Sequence, residues 1–481
     1  MFALEDKSVL VIGLGLSGVA ATELLLSRGA QVFALDTATG DALAEQAKKL
    51  FAHGATIELG ATALPLRPFD FAVISPGVPL DHPFIIALRA RSIPVIGELE
   101  LGYQQSLALN ISITGTNGKT TTTELVEHIL RNNDLKTIAA GNIGTPLCAV
   151  ADKSRSLDFL ALEVSSFQLE TIETFRAAVA VLMNISPDHL DRYASMDDYA
   201  RAKARLFENQ EAFDSAIVQS EALTHLKKLG VRIPSKLITF SATDQTADLY
   251  LDRGLIISRL ENWSGPLLNM QNVKLRGPHN AENIMAALAV GRVLHIPFDG
   301  VVEAIKSYMP APHRCELVAE INGVRFVNDS KATNVDAVAK ALLAMPENEN
   351  SRQPNIWLLA GGKDKGFDYH DLGPLLSRRV KGAFLFGETR EKISAAWSSF
   401  TPCTLVPGLL EAIPAAAQRA VPGDVVLLSP ACSSFDQFRN YQHRGEVFRQ
   451  AVKQLEISGK KNRERVAAFP RKPRMALTQT H

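Results

Sequence analysis

The chain has no excess of charge of either sign: 51 lysines and arginines stand against 51 aspartates and glutamates. That balance removes the electrostatic footprint expected of a nucleic-acid binder. Cysteine is scarce, with four residues in 481: Cys148, Cys315, Cys403 and Cys432. None forms a C-x-x-C pair or falls among clustered histidines, so neither a zinc site nor a disulfide framework is indicated. Long apolar runs are missing too, none approaching the ~18 residues of a membrane span. The first residues enter a strand pattern directly, without a secretion signal. Together these features point to a reducing, cytoplasmic home. There is no short-period repeat. One local bias remains at 459–474, with seven basic residues, one acidic residue (Glu464) and two prolines. It reads as a solvated, disordered tail; the alternative is a membrane or partner contact.

At 481 residues the chain exceeds one ordinary core. A prior of ~100–200 residues per domain gives three. Short apolar runs ending in Gly, Ser or Asp alternate with helical patterns, the grammar of α/β folds with mostly parallel sheets. Residues 1–97 hold strands in SVLVI, QVFALD, FDFAVIS and SIPVIG. Residues 98–310 hold NISIT, FLALE and AAVAVLMN, with helical stretches at Asp197–Asn209 and Asn280–His295. The proline-containing segment MPAPHRCE suits a hinge. Beyond it, 311–457 carries VRFVND, NIWLLAGG, GAFLFG, CTLVP and DVVLLSPA, interrupted by the polar surface loop PENENSRQPN. Residues 458–481 are the basic tail.

Two glycine turns carry the chemistry. GLGLSG follows the first strand, with Gly13, Gly15 and Gly18 in a G-x-G-x-x-G pattern and Asp36 ending the next strand. Such a turn lets a diphosphate approach backbone N–H groups, and an acid in that place accepts from ribose hydroxyls. NAD is one occupant, any diphosphate nucleotide another, and close helix–sheet packing alone would also demand the glycines. No hydride-transfer constellation accompanies them. The second turn, GTNGKT, is a contracted phosphate loop: only Thr116 and Asn117 separate Gly115 from Gly118, where the usual loop has four residues. An apolar strand precedes it and a helix-forming run follows. Backbone N–H groups would face the anion, Lys119 would reach the β- and γ-phosphates, and Thr120 would offer its hydroxyl to Mg²⁺. Glu163, at the end of FLALE, fits a second magnesium anchor; its bland reading is a helix cap. His189 follows another strand end. Lys203, in YARAKARLF, is by residue type a solvated helix lysine, since a cation ligates metal only after conversion to a carbamate.

GTNGKT, LEVSSFQLE, NISPDHLDRY, GPHNAENIMAA, HRCE and NDSKATN, in this order over most of the chain, resemble the ATP-dependent Mur ligases of peptidoglycan synthesis and their folylpolyglutamate synthase relatives. GGKDKG and SPACSSFDQF resemble the branch that adds D-glutamate to UDP-N-acetylmuramoyl-L-alanine, and the D-N-P-R motif of the diaminopimelate-adding branch is absent. The resemblance implies an α/β fold of three domains. They are a Rossmann-like N-terminal domain for the UDP-sugar, a P-loop-type ATP-binding central domain and a Rossmann-like C-terminal domain that brings the amino acid. It implies a cytoplasmic monomer that activates the L-alanyl carboxylate as an acyl phosphate. ATP would be held by Gly115, Thr116, Asn117, Gly118, Lys119, Thr120 and Thr121, with Asn280, Arg314 and Asp329 on the nucleotide. Two Mg²⁺ ions would be held by Thr120 and Glu163 and by His189 and a carbamylated Lys203. Lys119, His189 and Lys203 form the implied catalytic set. The UDP-sugar would meet Gly13, Gly15, Ser17, Gly18, Asp36, Thr37, Asn142, Ser165 and Gln168. D-glutamate would meet Lys331, Thr333, Lys365, Ser434 and Tyr441. Two positions depart from the family pattern: Ala38 follows Thr37 where arginine is frequent, and Tyr441 stands where phenylalanine is usual. Two other readings remain: a ligase of the same fold with a different acceptor, and a nucleotide-sensing regulator.

Overall fold

The computed structural model describes residues 3–189, 192–310, 312–347 and 353–467, the last ten of these for their backbone alone. The chain divides into two compact units, Met1–Met309 and Pro310–His481.

The first unit contains two sheets. Strands β1 (Ser8–Ile12), β2 (Gln31–Asp36), β3 (Thr56–Leu59), β4 (Phe71–Ile74) and β5 (Val95–Gly97) form a parallel sheet in the order β3-β2-β1-β4-β5. Val9, Leu10, Val11, Ala72 and Val73 are fully buried, as expected for parallel strands covered on both faces. Strand order reverses between β1 and β4, which opens a crevice at their C-terminal ends. The second sheet comprises β6 (Leu109–Thr114), β7 (Thr137–Gly141), β8 (Phe159–Glu163), β9 (Val179–Leu182), β10 (Ser215–Gln219), β11 (Lys236–Ser241), β12 (Leu249–Asp252), β13 (Leu255–Ser258) and β14 (Gly265–Asn269). Its order is β14-β13-β12-β11-β10-β9-β6-β8-β7, parallel except for the pairings of β12–β13 and β13–β14. The sequence reading missed this antiparallel extension. Arg253 and Gly254 form its two-residue turn, both at positive φ (47° and 83°), without the Asn-Gly that usually announces such a hairpin. Helices Lys119–Asn132 and Pro278–Val293 cover one face of the sheet, with Ile111, Ile113, Leu125, Ile129, Ile284 and Leu288 in the shared core.

Helix Glu98–Gln104 follows β5 and carries two fully buried carboxylates. Glu100 accepts from the N–H groups of Glu173, Thr174 and Phe175 at 2.9–3.0 Å. Glu98 accepts from the N–H of Cys148 at 2.7 Å, and burial pushes its carboxyl up to about 7.

The second unit has one sheet of β15 (Glu316–Ile321), β16 (Val324–Asn328), β17 (Ile356–Gly361), β18 (Val380–Phe386), β19 (Cys403–Leu405) and β20 (Val425–Leu428), in the order β15-β16-β20-β17-β18-β19. All neighbours are parallel except β15 and β16. The sequence showed five of these strands; β15, an edge strand with no fully buried residue, gave no apolar run to read. The final helix spans Tyr441–Ala467. Residues 458–467, read from sequence as the start of a disordered tail, therefore continue this helix; 468–481 lie outside the described residues. Of the polar loop 346–355, residues 348–352 also lie outside them. Among the described residues no helix is long and apolar enough to cross a membrane.

Candidate active site

The phosphate loop joins β6 to helix Lys119–Asn132, at the C-terminal edge where β6, β8 and β9 end side by side. Gly115 and Gly118 take φ of 151° and 85°, conformations that side chains resist. The loop is clamped by the segment after β9. Thr116 N–H donates to Asn184 O at 3.0 Å, and Asn117 N–H to Asn184 Oδ1 at 2.8 Å. Asn184 Nδ2 returns a bond to Asn117 O at 3.0 Å, and Thr116 Oγ1 donates to Ser186 O at 3.0 Å. Lys119 folds back over the loop, its Nζ donating to Gly115 O and Thr116 O at 2.8 Å each. Thr120 is half-buried in the first helical turn and Thr121 is buried. Asn280, on helix Pro278–Val293, accepts from Asn283 Nδ2 at 2.9 Å. Thr122, one turn beyond the loop, donates to Asn283 Oδ1 at 3.3 Å. Asn184 and Asn283 are contributors the sequence reading missed. Asn283 was visible as the i+3 neighbour of Asn280; the backbone bonds of Asn184 had no sequence signal.

Lys203 is not a solvated lysine. Its side chain is 1% exposed, donates to Gly115 O at 2.9 Å and lies 4.4 Å from the centre of the Tyr199 ring. Burial, with the charge of Lys119 adding, holds this amine well below the ordinary lysine range; Asp188 and Glu163 pull the other way. Glu163 ends β8 with 3% exposure. Its Oε1 accepts from Asn142 Nδ2 at 2.7 Å, while Oε2 is buried with no hydrogen-bond partner in the protein. Helix capping does not explain it, because Ser165 and Gln168 form the capping box of the next helix. Asn142 thus orients Glu163, and the side chains of Ser165 and Gln168 serve that cap. His189, at φ 55°, rests edge-on against Phe167, with Nε2 3.8 Å from Asp188 Oδ2. Among the described residues no group of three or more His, Cys, Asp and Glu side chains gathers into a protein-only metal cage. One orphaned carboxylate oxygen beside a phosphate loop instead suits Mg²⁺, which takes one or two carboxylates together with substrate phosphates.

The first glycine turn lies at the crevice between β1 and β4. A Cβ on Gly18 would sit 1.7 Å from Gly13 O, so only glycine permits this approach. Ser75, after β4, donates to Gly13 O at 2.8 Å. The Asp36 carboxylate bridges the turn, accepting from Leu14 N–H at 2.7 Å and Ala38 N–H at 2.8 Å. One oxygen thus serves the glycine turn and the other the segment just after β2. Gly15 and Thr37 are exposed, and Ser17 is half-buried in the first helical turn. Arg192 ties this sheet to the central one within the first unit. It donates to Pro76 O at 3.1 Å and Glu170 Oε2 at 2.7 Å, over the Phe167 ring at 4.0 Å.

In the second unit the loops after β16, β20 and β17 leave neighbouring strand ends. Asp329 follows β16, accepting from Ser429 Oγ at 2.9 Å and Cys315 N–H at 3.1 Å. Burial pushes its carboxyl up to about 7, with these two donors and Arg314 opposing. Lys331 Nζ sits 4.0 Å from the centre of the Tyr441 ring, and Thr333 is half-buried two residues on. Ser434 is buried, and Lys365 Nζ lies 5.8 Å from the centre of the Phe367 ring. Arg444, absent from the sequence reading, is fully buried. It donates to Ser330 Oγ (3.0 Å), Ser330 O (2.9 Å), Cys432 O (3.1 Å) and Ser433 O (3.3 Å), stapling the loop after β16 to the loop after β20.

Fold and site together define a nucleotide-binding α/β protein with a contracted phosphate loop. Residues 7–97 match the family described as "Mur ligase MurD-like, N-terminal domain", 113–291 the "Mur ligase middle domain" and 313–432 the "Mur ligase, glutamate ligase domain". The chain belongs to the Mur ligase family. It is 41% identical over 453 residues to the UDP-N-acetylmuramoylalanine--D-glutamate ligase of Acidobacterium capsulatum, covering 93% of this chain and 96% of that one. It is 40% identical to the ligase of the same name from Koribacter versatilis, covering 95% and 99%. Among solved structures, the MurF ligase of Thermotoga maritima in complex with ADP shares the fold at a TM-score of 0.59 and 17% identity, over 94% of this chain and 96% of that one. UDP-N-acetylmuramate-alanine ligase MurC of the same organism does so at 0.58 and 17%, over 94% and 100%.

Proposed function

We propose that this chain is an ATP-dependent, ADP-forming ligase that joins D-glutamate to UDP-N-acetylmuramoyl-L-alanine in peptidoglycan precursor synthesis. The observation that carries the reading is the phosphate loop with Lys119 inside it, beside the orphaned oxygen of Glu163. The name borne by relatives at 38–41% identity supplies the substrates. A carboxylate is a poor electrophile toward an amine. Transfer of the γ-phosphoryl group of ATP to the L-alanyl carboxylate makes an acyl phosphate and ADP. The amine of D-glutamate then attacks the acyl carbon, and phosphate leaves as the amide forms. The residues act by placement and charge neutralisation. Loop N–H groups cradle the phosphates, and Lys119 neutralises the transferring group. Mg²⁺ would be held by Thr120 and Glu163, neutralising charge on the phosphate oxygens.

The remaining assignments follow the same reading. Residues 1–97 hold the UDP-sugar, 98–310 hold ATP and 311–457 hold the amino acid. The Gly13–Gly18 turn receives the diphosphate, with Ser17, Asp36 and Thr37 at its rim. Asn142, Ser165 and Gln168 serve the UDP-sugar side by shaping the segment after β8. Thr116, Asn117, Thr121, Asn280, Arg314 and Asp329 serve the nucleotide, and Lys331, Thr333, Lys365, Ser434 and Tyr441 receive D-glutamate. The resemblance supports a cytoplasmic monomer. His189 and Lys203 would serve a second Mg²⁺, with Lys203 as a carbamate. Its buried amine, held low and therefore readily neutral, is the form that captures CO₂. Protein equilibrated with ¹³C-bicarbonate is expected to show a carbamate resonance in ¹³C NMR that Lys203→Arg lacks; a spectrum without it removes the carbamate.

The activity test is phosphate release with ATP, Mg²⁺ and UDP-N-acetylmuramoyl-L-alanine against each glutamate enantiomer. Release matched one-for-one by amide formation is expected with D-glutamate, and only background release with L-glutamate. Equal turnover of both, or turnover only with a folate acceptor, would remove the D-glutamate assignment.

A further inference from the structure

The loop after β17, Gly361-Gly362-Lys363-Asp364-Lys365-Gly366, carries Lys365 on a backbone with little rigidity of its own. Gly361, Gly362 and Gly366 all take positive φ, at 121°, 148° and 75°. Its first half is fixed to neighbours: Lys363 N–H donates to Ser433 O at 2.9 Å, and Gly362 O accepts from Thr389 N–H at 3.0 Å. Its second half is ordered by one carboxylate. Asp364 accepts from Gly366 N–H at 3.0 Å, from Tyr369 Oη at 3.4 Å and from Lys392 Nζ at 2.8 Å. Tyr369 Oη in turn meets Cys432 Sγ at 3.2 Å, as does Thr389 Oγ1, so the network extends into the loop that bears Ser434.

The geometry points to Asp364, anchored by Lys392, as the positioning residue that fixes the loop carrying Lys365 and so governs how the second unit receives the carboxylate of the incoming amino acid. This rests on the reading that Lys365 receives that carboxylate. Two physical effects make the pair more than a structural bond. A half-exposed ion pair such as this contributes little to folding, so its consequence lies in the loop it holds. An unneutralised Asp364 beside Lys365 would also repel an anionic amino acid, and the Lys392 ammonium offsets that charge. Burial raises the Asp364 carboxyl, yet Lys392 and the Gly366 N–H outweigh it, and the group stays below the usual carboxylate range.

The test is steady-state kinetics on the full chain with Asp364→Asn, Lys392→Met, Lys392→Arg, the Asp364→Asn/Lys392→Met double variant and Lys365→Met as comparator. Lys392→Met and Asp364→Asn are each expected to raise the KM for D-glutamate by about tenfold, with kcat and the KM for ATP and UDP-substrate within about twofold. The double variant is expected to be no worse than either single, because the pair acts as one unit. Lys392→Arg is expected to restore the wild-type KM. If Lys365→Met raises the KM for D-glutamate while Asp364→Asn and Lys392→Met leave it unchanged, the proposal is overturned and the reading of Lys365 survives. If Lys365→Met leaves it unchanged, that reading fails and takes the proposal with it. Equal rises in KM for ATP and D-glutamate would mark a general structural defect and also overturn it.

Discussion

Lys119→Met is expected to lower kcat by about a thousandfold while leaving the affinity for UDP-N-acetylmuramoyl-L-alanine within about twofold of wild type. The amine sits 2.8 Å from two carbonyls of the phosphate loop, and in the proposed reaction its charge neutralises the transferring γ-phosphoryl group. Removing one preorganised charge from such a site costs up to about 4 kcal/mol of transition-state stabilisation, which corresponds to that factor. Methionine keeps most of the unbranched side chain and removes the charge together with the donors to Gly115 O and Thr116 O. The crevice proposed for the UDP-sugar belongs to a different sheet, at the ends of β1 and β4, so calorimetric binding of that substrate tests whether the variant is otherwise intact. Hydroxylamine trapping of the acyl phosphate reads the chemical step directly. A trapped yield within tenfold of wild type would remove Lys119 from phosphoryl transfer. Lys119 is also one of the two influences that lower the affinity of Lys203 for its proton. Its loss shifts Lys203 toward the ammonium form, and carbamate occupancy in the variant is expected to fall with it.

The second large effect is on stability. Arg444→Met is expected to destabilise the second unit by about 3 kcal/mol, because it leaves the buried carbonyls of Ser330 and Cys432 without donors and removes one of the two donors to Ser433 O. For a unit of this size that is roughly a 10 °C fall in melting temperature. The guanidinium is itself uncomfortable in the interior: burial lowers its pKa to about 10, and the relief of removing it is why the expected loss is not larger. Arg444→Lys is expected to recover less than half of the loss, since one ammonium cannot match a planar fork that reaches two loops at once. The two loops carry Lys331 and Ser434, so both variants should also raise the KM for D-glutamate. Calorimetric melting of Arg444→Lys at the wild-type temperature would sink the staple.

The parts legible in the sequence were those where residue type is dictated by local geometry. Gly18 had to be glycine because Gly13 O occupies the place of its Cβ, and Gly118 because the helix begins from a left-handed residue. Lys119 was legible through its spacing from those glycines. What the sequence hid depends on distance along the chain. Lys203 sits between Arg201 and Arg205 in a run that looks solvated; its burial comes from Gly115 O, 88 residues away, and from the Tyr199 ring. The bond from the Asn142 amide to Glu163, 21 residues on, was equally hidden. Arg444 reaches Ser330 across 114 residues, and no periodicity announces such a bond. The Arg253-Gly254 hairpin was lost for a local reason: its turn residues are not the ones that usually mark the bend.

The buried carboxylates of Glu98 and Glu100 also bear on how pieces of this enzyme can be exchanged. Both lie just past the last strand of the N-terminal sheet, and both bind amides of the central sheet's own loops, at 148 and 173–175. A chimera cut at 97/98 that keeps helix 98–104 with the central portion preserves those bonds. One that moves the helix with the donor's N-terminal sheet strands four backbone donors or their partners in the interior unless the graft brings matching acids. Recombination crossovers in this family should therefore survive on the N-terminal side of Glu98 and fail a few residues later.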